Sequence, residues 1–313
     1  MDIGRRRGIK SQMNRDFRLN KVKIAEQIEK AAAKHDEIRA RLCAPLTEDP
    51  RRFNAVSLRE WVGFAQAAGL NPVPAEPVAS LPVDVVLRFD CPRPEDAPYW
   101  KAFERALEET GPGEMVRWSA CASMELKWAM GAAVDPQSPD RWGHRPAAYL
   151  TPDDPRAFDV IYEYPEETIE VLRRPWVEAR RVGAHPVEYR VFVQDSAVLG
   201  ISSYYPQRPL VRDAQVEREL AEVRAQTERL IRHLDACARL PWHPGYGKRY
   251  DPERVHCTLD FLVETDGAVR LLEAGPPWGA GAHPCCFEGR EVAGIALDPL
   301  GPVEPLEPDA PAP

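Results

Sequence analysis

The sequence lacks any apolar run of the roughly 18 residues that a membrane-spanning helix needs. Its first residues, MDIGRRRGIKSQ, are basic but have no apolar core of the kind that a secretory signal carries. The seven cysteines include no C-x-x-C pair, so neither a disulfide framework nor a zinc ribbon is expected. The adjacent Cys285 and Cys286 are interpreted as buried free thiols. These absences predict a cytoplasmic protein with no membrane partner.

Two common nucleotide-binding signatures are also missing. The chain contains no G-x-x-x-x-G-K-[ST] and no G-x-G-x-x-G, which disfavours a P-loop or a Rossmann site. A net charge of −8 argues against a general nucleic-acid binder. The charge is uneven, because residues 1–41 contain twelve Lys or Arg and six Asp or Glu. A basic arm of this kind can touch RNA, another protein or its own body, but a solvated helix is the interpretation we favour.

What the sequence does contain is typical of a folded chain with one large domain or two lobes. It has 313 residues, of which 44% are hydrophobic and 29% are charged. An amphipathic pattern predicts a helix over 18–42. A second helix is predicted over 57–68, where Ser57 and Glu60 have the spacing of a capping box. Four prolines within NPVPAEPVASLP predict a linker over 71–82.

Beyond this stretch the pattern mixes helices with β-hairpins. The predicted elements are strands at 83–89 and 114–118, helices at 99–109 and 124–130, a loop at 132–148, a strand within 169–182, a hairpin at 187–205, a long helix at 213–240 and a second hairpin at 257–275. Pro175 requires its strand to lie at a sheet edge or to contain a bulge. The tail from Ala296 alternates proline with acids and is predicted to be disordered. Together these elements predict an α+β fold with mostly antiparallel sheets.

Two carboxylates stand out in the second hairpin. Around the Asp266-Gly267 turn, a strong hairpin signal, Asp260 and Glu273 fall near-opposite each other. Like charges on neighbouring strands are destabilising unless a cation lies between them. Mg²⁺ is commonly held by one or two carboxylates together with substrate phosphates. A metal pair is one interpretation, and two side chains that meet solvent on opposite faces is the other.

Arg190 is the second candidate. Alternation places Arg190, Phe192 and Gln194 on one face of their strand and Val191 and Val193 on the other. A charged group inside a β-rich core needs a partner. Arginine can bind phosphate in a bidentate manner, but a salt bridge to Glu188 or to another acid is equally compatible with the pattern.

Further candidates come from an arginine-rich segment. Arginines at 173, 174, 180 and 181 bracket Trp176 and Glu178. A positive strand with an aromatic residue can flank a purine and its phosphates, or it can be a basic edge strand that discourages aggregation. Lys127 on the short helix is a candidate too, although a lone lysine is usually solvated.

Four segments in this order resemble the cell-division-cycle protein 123 family, a divergent clade of ATP-grasp proteins. The segments are VRWSACASMELKWAMG, RRPWVEA, EYRVFVQDSAVLGISSYYPQR and LDFLVETDGAVRLLEAGPPWG. They match that family's Trp-Ser-Ala segment, Arg-x-Trp strand, Glu-[Phe/Tyr]-Arg strand and late metal motif. The resemblance covers roughly residues 112–288.

The resemblance implies an ATP-grasp fold with a nucleotide cleft between two lobes. The domains would be a basic helical extension and Pro-rich linker at 1–82, a smaller lobe at 83–168, a larger lobe with the metal hairpin at 169–295, and a tail at 296–313. It also implies ATP and Mg²⁺ as cofactors. The implied site residues are Asp260 and Glu273 for the metal, Arg190 and Arg117 for the phosphates and catalysis, and Arg174, Trp176, Glu178 and Lys127 for the nucleotide.

Two positions depart from the family pattern. The asparagine expected two residues after the metal-binding acid is Gly275, which removes a ligand. The expected lysine before the Trp-Ser pair is Met115, and Arg117 on the same face, or Lys127, is its expected replacement.

The resemblance leaves three functions open. The first is an ATP- and Mg²⁺-dependent carboxylate–amine ligase that acts through an acyl phosphate on a peptide or protein. The alternative is an ATP-binding assembly chaperone for a partner protein, without ligase turnover. The third is a degenerate scaffold that binds no nucleotide.

Overall fold

The computed structural model describes residues 37, 40, 44–123, 150–163, 166–183, 185–205, 210–244 and 250–277. The chain divides into two compact units, Met1–Ala44 and Pro45–Pro313, and the elements described below belong to the second. Nearly all of the helix predicted at 18–42 lies outside the described residues, as do the helix at 124–130 with Lys127, the Cys285-Cys286 pair and the tail from Ala296. None of the helices in the described ranges is long and apolar enough to cross a membrane.

The described part has the α+β architecture that the sequence predicts, with mostly antiparallel sheets, one two-stranded parallel sheet and α-helices. The helices are α1 (Leu58–Ala67), α2 (Val83–Val86), α3 (Ala97–Glu108), α4 (Pro155–Glu163) and α5 (Ala214–Ala236). The strands are β1 (Arg52–Asn54), β2 (Glu76–Pro82), β3 (Glu114–Trp118), β4 (Thr168–Pro175), β5 (Arg181–Val182), β6 (His185–Pro186), β7 (Glu188–Gln194), β8 (Ala197–Ser203), β9 (Leu240–Trp242), β10 (Cys257–Val263) and β11 (Val269–Gly275).

A three-stranded antiparallel sheet has the order β2-β4-β3. Its β2 strand overturns the linker predicted at 71–82. Proline cannot donate to a ladder but is tolerated on an edge strand, and β2 is an edge strand with a register shift between Pro77 and Ala79. The lobe boundary predicted after residue 168 stays a prediction, although β4, which begins there, is hydrogen-bonded on both sides within this sheet.

The strand predicted at 83–89 is also wrong, because Val83–Val86 is a helix. Its valines at 83, 85 and 86 are all buried, so the local β-propensity yields to packing. Pro175 is neither at an edge nor in a bulge of β4, since β4 is the central strand and ends at that proline. Helix α4 was not predicted.

A four-stranded antiparallel sheet has the order β11-β10-β7-β8 and contains both predicted hairpins. Asp195 and Ser196 have φ of 53° and 59°, the pair of positive values that a type I′ turn requires. Gly267 has φ of 88° at the tip of the other hairpin. These turns set the register beside each loop, and each hairpin has a register shift farther along its strands.

The long helix α5 covers one face of the four-stranded sheet. Asp213 caps it by accepting hydrogen bonds from the backbone N–H groups of Gln215 and Val216. Its buried stripe packs in one core with β7, β10 and β11. Cys237, which directly follows the last residue of α5, is exposed.

Helix α1 packs in the same core and ends as predicted. Gly69 has φ of 75° after its last turn, and the Leu70 N–H reaches back to the Ala65 carbonyl. The predicted capping box is not formed, because the Ser57 side chain makes no cap hydrogen bond.

Candidate functional site

The site begins with a bulge in the β10–β11 hairpin. Phe261 pairs with Leu271 in the register, but Asp260 pairs with Glu273, so Leu272 is the extra residue. The two carboxylates therefore lie on neighbouring strands at one ladder position, as the sequence predicts. The arrangement would carry a like-charge penalty if nothing offset it.

One arginine offsets each carboxylate. Arg190 lies opposite Asp260 on β7 and donates from Nε to Oδ1 and from Nη2 to Oδ2, both at 2.7 Å. Both side chains are almost fully buried. Burial disfavours the charged guanidinium, but the Asp260 carboxylate outweighs it and holds the pKa of Arg190 above its usual range. The structure contains the salt bridge to another acid that the sequence left open, and that acid is Asp260. Phosphate binding by Arg190 stays a prediction.

The second ion pair joins the two sheets. Arg117 on β3 donates from Nη1 to Glu273 Oε2 at 2.6 Å. The Arg117 side chain is 6% exposed and that of Glu273 is 21% exposed, so this pair lies nearer to solvent than the first. Met115 and Arg117 both line the cleft described below, while Val116 and Trp118 pack in the core beneath. The face predicted for Arg117 is correct.

Arg174, near Arg117 and Glu273, has no carboxylate among its hydrogen-bond acceptors in the described residues. Its guanidinium donates to the carbonyls of Val73, Pro74 and Leu272. Burial, with the nearby charge of Arg117, lowers its pKa to about 9, which still leaves it charged at neutral pH. Three arginines, Arg117, Arg174 and Arg190, therefore lie close to the two carboxylates.

A cleft of about 820 Å³, including the part open to solvent, lies between the two sheets. Its wall is mostly apolar and carries a few charged groups, as small-molecule sites usually do. The three-stranded sheet supplies Met115, Arg117 and Arg174, and the hairpin supplies Leu272 and Glu273.

The segment that connects the sheets closes one side of the cleft. Trp176 lines it, and the Trp176 N–H donates to the Gly113 carbonyl at 2.8 Å. Glu178 is not part of the lining, and its backbone carbonyl accepts from the Thr265 N–H. Arg181 reaches the cleft while Arg173 pairs with Glu76 outside it. The segment therefore sends some of its arginines to the cleft and others to ion pairs outside it, and Arg173 and Arg174 lie on a central strand rather than on the basic edge strand that was the alternative. The role beside a purine stays a prediction.

Glu188 is a cleft residue that sequence reasoning missed as a site residue. It is 6% exposed, lines the cleft and accepts a hydrogen bond from the Tyr205 hydroxyl at 3.3 Å. Burial, together with the charge of Glu188, raises the pKa of Tyr205 well above its usual range. The signal was present, since Glu188 is two residues before Arg190 and so shares its face.

The carboxylate oxygens of Asp260 and Glu273 are the kind of ligand that Mg²⁺ prefers. The described residues contain no group of three or more His, Cys, Asp or Glu side chains placed to hold a metal. Asp260 and Glu273 are instead a two-carboxylate set, which Mg²⁺ takes up together with phosphate oxygens and water. Gly275 is on the same face as Glu273 and opposite Thr258. A Cβ built there meets the Thr258 hydroxyl oxygen at 3.8 Å, an ordinary contact.

No protein-family model and no curated protein matches the sequence. The solved structures with a similar fold include C-terminally truncated Cdc123 from Schizosaccharomyces pombe, with a TM-score of 0.40, 13% identity, and 71% of this chain and 83% of that chain covered. They include N5-carboxyaminoimidazole synthetase from Staphylococcus aureus complexed with ADP, with a TM-score of 0.31, 12% identity and coverages of 71% and 44%. VanG D-Ala:D-Ser ligase from Enterococcus faecalis has a TM-score of 0.34, 10% identity and coverages of 74% and 56%.

A Cdc123 structure, a synthetase and a ligase are thus among the solved structures to which the chain is similar. At these identities and TM-scores the likeness concerns the fold alone. It carries no information about activity, substrate or partner in this chain.

Proposed function

We propose that this protein binds Mg·ATP in the cleft between its two sheets. The observation that carries the proposal is the alignment of Asp260 and Glu273 on the hairpin, each paired with an arginine, beside a mostly apolar cleft. Apolar walls such as Trp176 suit a base, and the charged end suits a polyphosphate and its cation.

The carboxylates and arginines of this cluster are groups of the kind that bind a metal and a polyphosphate. When bound, Mg²⁺ would supply positive charge that offsets the charge of the phosphates. Asp260 and Glu273 would supply its carboxylate ligands. Arg190 and Arg117 would turn their N–H donors toward phosphate oxygens, for which the guanidinium fork is suited. Arginine in such a position stabilises charge that develops during phosphoryl transfer.

The activity that we propose for this site is carboxylate–amine ligation of a peptide or protein. A substrate carboxylate would attack the terminal phosphorus of ATP and displace ADP, which gives an acyl phosphate. An amine would then attack the acyl carbon, lose a proton and release inorganic phosphate. The chemistry needs positioning and charge neutralisation rather than a protein nucleophile. The arginines and carboxylates described above supply both.

A thermal melt tests nucleotide binding directly. At an ATP concentration about 100 times the Kd, binding adds about 2.7 kcal/mol to stability. We expect ATP with Mg²⁺ to raise the Tm, ATP with EDTA to raise it much less, and the Glu273→Gln variant to lose the difference. Glu264→Gln is the matched control, because it breaks the Arg270–Glu264 ion pair near the turn of the same hairpin. No Mg²⁺-dependent response in the wild type would refute the proposal and favour the degenerate scaffold.

The assembly chaperone is the second candidate. The feature that favours it is the basic stretch at 1–41, which carries twelve Lys or Arg on a chain of net charge −8 and suits docking to an acidic partner. ADP release that depends on an added carboxylate and amine supports the ligase. ATP binding without turnover, together with a stable partner that requires residues 1–41, supports the chaperone.

A further inference from the structure

The bulge at Leu272 decides which residue faces Asp260. In an uninterrupted ladder the Phe261–Leu271 pair would be followed by Asp260 opposite Leu272. Glu273 would then fall opposite Leu259, whose side chain is fully buried in the core with α5. A one-residue slip moves a side chain to the other face of a sheet. The bulge therefore places a carboxylate, instead of a leucine, beside Asp260.

A bulge residue is left out of the regular ladder, so its backbone groups need other partners. The Leu272 carbonyl accepts a hydrogen bond from Arg174 Nη2 at 2.8 Å. The same nitrogen donates to the Val73 carbonyl at 2.9 Å, and Nε donates to the Pro74 carbonyl at 3.2 Å. The Val73 N–H in turn donates to the Leu271 carbonyl at 2.9 Å. One guanidinium thus fixes the bulge against the segment that runs beside β11.

Arginine is the side chain suited to this contact. Its planar group presents several donors in fixed directions, whereas a lysine ammonium is a single point with rotatable donors. Arg174 is 2% exposed, and its hydrogen bonds within the described residues go to backbone carbonyls. A buried charge is costly unless its hydrogen bonds are made. The three carbonyl contacts are therefore the reason that a charge is tolerated here.

We infer that Arg174 is a positioning residue, which holds the bulge at Leu272 and so keeps Glu273 beside Asp260. This inference rests on the proposed function, since it concerns the pair that would bind Mg²⁺. It differs from the role beside the adenine that the sequence resemblance implies, because Arg174 acts through the β11 backbone. Removing it lets β11 relax toward the regular register and turns Glu273 away from the metal position.

Two substitutions test the inference. Arg174→Lys keeps the charge and loses the fork, and Arg174→Gln loses the charge. The control is Arg173→Gln on the same strand, which removes the ion pairs with Glu76 at 3.1 Å and with Glu114 at 3.8 Å, both outside the bulge. Changes in residues that orient metal ligands commonly weaken metal binding about 10–100-fold. We expect both Arg174 variants to need at least about tenfold more Mg²⁺ for half of the ATP-dependent Tm shift.

Amide hydrogen exchange of the protein without nucleotide supplies an independent readout. Exchange in β11 should be faster in both Arg174 variants and unchanged in Arg173→Gln, while exchange in α5 stays slow in all three. If Arg174→Gln does not fold, Arg174→Lys decides the matter alone. Wild-type Mg²⁺ dependence and β11 exchange in a folded Arg174→Lys would overturn the inference. A wild type without any Mg²⁺ response would instead refute the proposed function, and the exchange data would still decide whether Arg174 holds the bulge.

Discussion

The buried pair of Arg190 and Asp260 gives the largest stability effect that we expect from one substitution. Both side chains are almost fully buried, and both hydrogen bonds are 2.7 Å. Asp260→Ala leaves the Arg190 guanidinium in the same low-dielectric surroundings with its carboxylate partner removed. Breaking a buried pair in this way costs about 3–5 kcal/mol. Arg190→Met should cost a similar amount, because it leaves the Asp260 charge buried.

The double variant Arg190→Met/Asp260→Leu separates the cost of a stranded charge from the value of the pair. Replacing both partners of a buried pair with apolar groups is often neutral or stabilising. We therefore expect its unfolding free energy to lie within about 1 kcal/mol of the wild type. The three variants are compared by urea denaturation at equal m-values. Glu217→Gln, which breaks the half-exposed Arg212–Glu217 pair, is the control and should leave the midpoint unchanged.

The comparison of the two single variants with the double variant can refute this reasoning. If the double variant were as unstable as the sum of the single variants, the pair would not be coupled and the ion-pair argument would be wrong. All three variants should also lose the Mg²⁺-dependent response to ATP. A double variant that is stable but unresponsive would show that the pair serves binding rather than folding.

Three further changes have defined outcomes. Gly275→Asn restores a ligand position and should lower the Mg²⁺ concentration for half of the ATP-dependent Tm shift by about tenfold, or about 1.4 kcal/mol, whereas Gly275→Ala should not. His256 is buried, and its Nδ1 accepts the Asp195 N–H at 3.2 Å. Burial lowers the pKa of His256 below its usual 6.5, so the unfolded chain takes up the proton at a higher pH than the folded chain does. Stability therefore falls as the pH drops through about 6.5. His256→Gln should make stability less dependent on pH in this range. Glu219→Gln should cost about 1.5–3 kcal/mol in urea denaturation, because its carboxylate accepts from Arg180 at 2.6 Å and from Tyr189 at 2.7 Å.

Each of these predictions can fail on its own measurement. Equal Mg²⁺ requirements in Gly275→Asn and Gly275→Ala would show that position 275 does not reach the metal. An unchanged pH profile in His256→Gln would assign the acid loss of stability to other groups. A Glu219→Gln variant with wild-type stability would show that its neutral amide satisfies the same donors.

The parts of the fold that follow local rules were predictable from the sequence. Both hairpins were found, because Asp195-Ser196 and Asp266-Gly267 are turn dipeptides between apolar strands. The wrong predictions concern segments whose secondary structure is determined by long-range packing. A proline-rich strand at 76–82 is possible only because it is an edge, and the valines of 83–86 are helical because the surrounding core buries three of them. Neither the edge position of β2 nor the buried surroundings of the valines can be deduced from the local sequence pattern.

The candidate site was likewise predictable from the sequence only in part. Alternation correctly predicted that Arg190 points away from the Val191 face and needs a partner, but the partner lies 70 residues away and depends on the β7–β10 register. Counting from the turn placed Asp260 and Glu273 near-opposite, with one residue more on the second strand. The structure resolves that difference as a bulge, which no spacing rule specifies.

The two ion pairs also determine how metal and nucleotide would act on each other. Glu273 is paired with Arg117 and Asp260 with Arg190, so a cation at the carboxylates competes with the guanidinium groups. A polyphosphate at the arginines competes with the carboxylates in turn. The metal alone or the nucleotide alone must break an ion pair and leaves one of its members without a partner. When both bind, the carboxylates contact the metal and the arginines contact the phosphates, so every charged group keeps a partner. Mg²⁺ and ATP should therefore strengthen each other's binding by the same factor, since coupling between two ligands is reciprocal. Because of these two ion pairs, the site would bind the metal–nucleotide complex in preference to the metal alone or the nucleotide alone.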